Sequence, residues 1–67
     1  MSARKMIEMA QEWATELAKI KGHNRLVADE ALHGFEEVEK GRNPDIVLKE
    51  VLKRIEDRIG LLKKSAN

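Results

Sequence analysis

Cysteine is absent from this chain, which excludes disulfide staples and thiolate zinc sites. Aromatic side chains are nearly absent too: Trp13 and Phe35 stand alone, and there is no tyrosine. A stacking platform for single-stranded nucleic acid needs several such rings, so one chain does not supply it. No apolar run approaches the roughly 20 residues that cross a bilayer. The opening Met1-Ser2-Ala3-Arg4-Lys5 leads into Glu8, Glu12 and Glu16 rather than the apolar core of a signal peptide. Nor is there an excess of one charge. Thirteen Lys and Arg face twelve Asp and Glu, for a formal net charge of +1. A protein held mainly by phosphate contacts is usually far more basic. These features point to a cytoplasmic, reducing setting and to no membrane partner.

Present instead are 67 residues with helical spacing throughout. A chain this short makes one domain and buries only about 60% of its unfolded surface. Small folds usually add a disulfide, a metal or a second subunit. With thiols missing, association is the expected support.

The breakers divide the chain into three. Glycine occurs at Gly22, Gly34, Gly41 and Gly60, and proline only at Pro44. The spacing predicts a first helix over about 3–21, where Met6, Ala10, Trp13, Leu17 and Ile20 fall on one stripe widened by Met9 and Ala14. Ser2 is its expected N-cap. A second helix is predicted over about 24–40, capped by Asn24, with Leu26, Val27 or Ala28, Ala31, Leu32, Phe35 and Val38 on its apolar face. Gly34 lies inside it, at a cost of roughly 1 kcal/mol relative to Ala, either as an accident or to admit a close neighbour. The third start is the clearest local signal. Asn43-Pro44-Asp45 supplies an N-cap, a proline at the first helical position and an acid in the first turn. Leu48, Leu52, Ile55, Ile59 and Leu62 follow, with Val47 and Val51 along one edge, over about 44–64; residues 65–67 read as a loose tail.

The expected fold is therefore all-α: a small three-helix bundle or helical hairpin, its sequential helices antiparallel across short joints, associating further as a dimer.

Catalytic constellations are missing. There is no Gly-rich phosphate loop and no His-Glu-x-x-His, and Ser2 and Ser65 lie in the tails without a base. Glu30-Ala31-Leu32-His33 has the Glu-x-x-His spacing of di-iron bundles, but both residues read as lying beside the apolar stripe. The expectation is a solvated His33 between Asp29 and Glu37, no bound metal and no cofactor. His23, in a joint, reads as a cap or surface residue. Glu8, Glu12 and Glu16 read as a solvated acidic stripe. On the third helix, Glu50 with Arg54 and Lys53 with Asp57 have the spacing of ordinary i, i+4 pairs.

Two further readings compete with protein binding. Gly41-Arg42-Asn43 is the right length for a helix-turn-helix joint, but the recognition helix would then open on Asp45, against the phosphates. The stretch from Glu39 to Leu52, with its Gly41-Arg42 joint before an amphipathic helix, resembles helical parts of small bacterial antitoxins. That likeness covers under a third of the chain, the DNA-binding ribbon strand of many such proteins has no counterpart, and no functional residue is carried over. A metal-binding helical-bundle enzyme is the weakest alternative. The function expected from the sequence is a non-catalytic regulatory or adaptor protein that binds a protein partner and itself, with Met6, Met9, Trp13, Val47, Val51 and Ile59 as contact residues and nucleic acid not favoured.

Overall fold

The computed structural model describes residues 3–66. They form three helices and no strand: α1 (Ala3–Leu17), α2 (Asn24–Glu39) and α3 (Pro44–Ala66). The all-α three-helix expectation is met. The Ser2 cap and Asn67 lie outside the described residues.

The ends of the helices follow from local chemistry. Asn43 caps α3 as its sequence indicates, with its side-chain oxygen accepting from the backbone N–H of Asp45 (2.9 Å) and of Ile46 (3.3 Å). At the end of α2, the Gly41 N–H donates to the Val38 carbonyl (2.9 Å) and the Arg42 N–H to that of Glu37 (3.3 Å). This pair of bonds is the Schellman motif. It needs a left-handed residue, and Gly41 sits at φ 106°. Three boundaries differ from expectation. α1 ends at Leu17 rather than near Lys21: the Lys19 and Ile20 N–H groups turn back to the carbonyls of Glu16 and Leu17, a tightened i→i+3 last turn. α2 is capped from His23, which makes no side-chain cap bond, and Asn24 is already helical. α3 runs on to Ala66, into the predicted tail.

The core is one cluster of Trp13, Leu26, Val38, Val47, Leu48, Val51 and Ile55, with Met9, Leu17, Ile20, Val27, Phe35, Leu52 and Ile59 half-buried around it. α2 and α3 form the main contact. Their facing surfaces are rows at i+4 spacing: Leu26, Glu30, Gly34 and Val38 on α2, and Val47, Val51 and Ile55 on α3. Such rows interdigitate as ridges and grooves. α1 joins them through Trp13, its one buried residue. The Trp13 ring stacks on Phe35 with centroids 4.7 Å apart and planes at 20°.

Gly34 is what lets the ring in. A Cβ there would lie 2.6 Å from Val51 Cγ2 and 2.7 Å from two atoms of the Trp13 ring. The glycine is thus a close-approach site, which settles the question the sequence left open. With so few side chains to enclose, the molecule stays long and flat, 46 × 20 × 15 Å. Its radius of gyration is 12.8 Å, against about 11 Å for a compact domain of this length.

Candidate functional site

α1 and α2 meet at the Trp13–Phe35 stack. Between them lies an open groove of about 920 Å³, lined by Met6, Met9 and Ala10 of α1, Leu32, Phe35, Val38 and Glu39 of α2, and the joint residues Gly41 to Pro44. It is mainly apolar, and two large side chains on it face solvent: Met6 is 49% exposed and Leu32 is 59% exposed. Ile7, one position along, is also exposed. The groove exists because Leu32 does not join the core. On α2 the buried row passes through Glu30 and Gly34, which rotates the expected apolar face and leaves Ala28 and Leu32 outside.

The six predicted contact residues therefore separate. Met6 and Met9 line the groove. Trp13, Val47 and Val51 are 1%, 2% and 4% exposed, so in the folded single chain they hold the helices together and have no free surface to offer. Ile59 is half-buried in a second depression of about 540 Å³ with Ile20, Leu52, Ile55, Glu56, Gly60 and Lys63. Leu32, Phe35 and Ala10 belong to the groove but were not singled out from the sequence, where Leu32 and Phe35 read as ordinary core.

Glu30 is the buried charge of the fold. Arg58 donates to its Oε1 at 3.1 Å, and an Arg54 nitrogen lies 3.8 Å from Oε2, too far for a hydrogen bond. Oε2 is left buried without a hydrogen-bond partner. A buried carboxylate must be paired, and the pair roughly repays the cost of desolvation rather than adding much stability. What it does fix is how α2 sits on α3, since the two arginines reach Glu30 from one face of α3. Glu30 of the Glu-x-x-His spacing is engaged by arginine, and His33 is exposed. Among the described residues, no three His, Asp or Glu side chains gather as a metal site.

The Glu50–Arg54 pair expected along α3 is replaced in the same way. Glu50 is clasped by Arg42, Nη1 at 2.8 Å and Nη2 at 2.5 Å, and Arg54 is drawn to Glu30. This two-pronged bond holds the Glu50 carboxyl below its ordinary pKa and raises that of Arg42. Arg42 is thus bound within the fold by Glu50, while Arg54 and Arg58 share the one Glu30 carboxylate. On α1 the acidic stripe is partly paired, Arg4 to Glu8 at 3.9 Å and Lys19 to Glu16 at 3.2 Å. No helix among the described residues is long and apolar enough to cross a membrane. Comparison with family models, with curated proteins and with solved structures returned no match.

Proposed function

We propose that this chain is a non-catalytic regulatory or adaptor protein that binds proteins, a second copy of itself included, through its amphipathic helices, with the groove between α1 and α2 as the binding surface. The observation that carries the reading is the groove itself. It is an apolar channel with methionine and leucine held on its edge, while the larger anchors Trp13 and Phe35 stack beneath. An amphipathic helix laid into such a channel buries apolar area at i, i+3 and i+4 positions. Methionine at the rim repacks easily around different side chains. The charged flanks would set orientation and the rate of encounter more than affinity. A cytoplasmic setting belongs to the same proposal, since a cysteine-free chain gains nothing from an oxidising one.

Tagged purification from native extract after nuclease treatment tests this, comparing the unaltered chain with a Met6→Glu, Leu32→Glu double variant. Both positions are exposed, so circular dichroism should show an unchanged helix content. The unaltered chain should retain a protein in fixed proportion, and the variant should lose at least ~90% of it, as expected when two apolar anchors are replaced by charge. Equal retention by both would refute the groove as the binding surface.

A further inference from the structure

We infer that the groove is occupied by the α1 helix of a second copy of this chain, in a two-fold dimer. This rests on the protein-binding reading above and names its occupant.

The first ground is the placement of charge. Helix N-termini favour acids and C-termini favour bases, because of the partial charges of the unpaired backbone groups. Both helices that wall the groove break this rule, and they do so at the same end. α1 has no acid in its first turn and carries Arg4 and Lys5 there; α2 has no base in its last turn and carries Glu36, Glu37 and Glu39 there. Glu37 is drawn to Lys40, at 3.8 Å. Arg4 is 91% exposed and reaches Glu8 at a long 3.9 Å, while Glu39 stands exposed on the groove wall. These charges cost each helix a little and are complementary to each other. In a two-fold pair, Arg4 of one copy meets the acidic flank of the other around Glu39, and the contact occurs twice. An isologous interface needs this self-complementarity.

The second ground is area. A compact monomer of 7.7 kDa is expected to expose about 4,300 Å². This chain exposes 5278 Å². The excess of roughly 950 Å² is close to the ~800 Å² that each partner contributes to a stable interface. The third ground is fit. α1 both walls the groove and presents a filler of suitable size, since the exposed Ile7, Ala10 and Ala14 follow Met6 along one side of the helix. The alanines let two helix backbones come close.

Sedimentation equilibrium on the full chain tests the inference. The unaltered chain should be a reversible dimer of micromolar affinity or tighter. Arg4→Glu alone and Glu39→Lys alone should each weaken it by roughly tenfold, since a rim attraction becomes a repulsion at two places. An equimolar mixture of the two variants should recover the original affinity, because in the mixed pair each reversed charge meets its opposite. A monomeric unaltered chain would overturn the inference, as would a mixture no tighter than its components. If a monomeric chain still captured another protein through Met6 and Leu32, the second-copy inference would fall and the partner-binding reading would stand. If it captured nothing, both would fall.

Discussion

Replacing Trp13 by alanine is expected to cost about 3–5 kcal/mol, the usual range for emptying a large aromatic from a core. For this chain that is close to the whole of its stability, because a domain below ~70 residues rarely gains more than 3–5 kcal/mol from one core. The reason lies in how α1 is held. Trp13 is the one buried residue of α1, and its ring fills the space between Phe35, Gly34 and Val51. No second anchor remains once it is removed, since Met9 and Leu17 are only half-buried. Thermal unfolding followed by circular dichroism should show the midpoint fall by at least ~12 °C, or the transition disappear. A shift of less than about 5 °C, corresponding to ~1 kcal/mol, would mean that α1 is not docked through this ring.

The second large effect is a reversal of the ordinary rule for glycine in helices. Gly→Ala inside a helix normally gains about 0.5–1 kcal/mol. Gly60 should obey this: it lies within α3 and nothing approaches its missing Cβ within 4 Å. Gly34 should do the opposite. Its Cβ would press on Val51 Cγ2 at 2.6 Å and on the Trp13 ring at 2.7 Å. Both neighbours belong to the core, so neither yields without disturbing the packing of all three helices. Overpacking of this kind costs about 1–3 kcal/mol or more, and the net loss for Gly34→Ala is expected near 2 kcal/mol after the helix-propensity gain is subtracted. Chemical denaturation of the two variants side by side should place Gly60→Ala above the unaltered chain and Gly34→Ala well below it. If both variants gained stability, the close approach of α1 and α3 at Gly34 would be wrong.

These expectations also mark where the sequence was legible. The three helices could be read because their punctuation is local: Asn43-Pro44-Asp45 starts α3 by side-chain chemistry, and Gly41 ends α2 by backbone conformation. The face of α2 could not be read by apolar count, because two members of its buried row are Glu30 and Gly34. A signal was available in the straight i+4 run of Leu26, Glu30, Gly34 and Val38, with Arg54 and Arg58 at the same spacing on the following helix. It is easily passed over, since a lone glutamate on a helix is nearly always solvated. Leu32 was consequently assigned to the core when it stands on the surface, and the groove beside it went unseen. Trp13, Val47 and Val51 are buried in the single chain for the converse reason. The apolar stripes on α1 and α3 are wide, but in so thin a molecule their centres are used up by the chain's own packing, and the exposed large side chains are Met6, Ile7, Leu32, Ile46, Leu61 and Leu62.

The most direct measurement is photo-crosslinking in the native cell from a photoreactive residue placed at Leu32, with Lys53 on the exposed side of α3 as the control position. A groove that binds protein should give a discrete crosslinked product from position 32, whether with a second copy or with another protein, and none above background from position 53. Equal crosslinking from both positions, or none from position 32 in a chain that remains folded, would contradict the assignment of this groove as the binding surface.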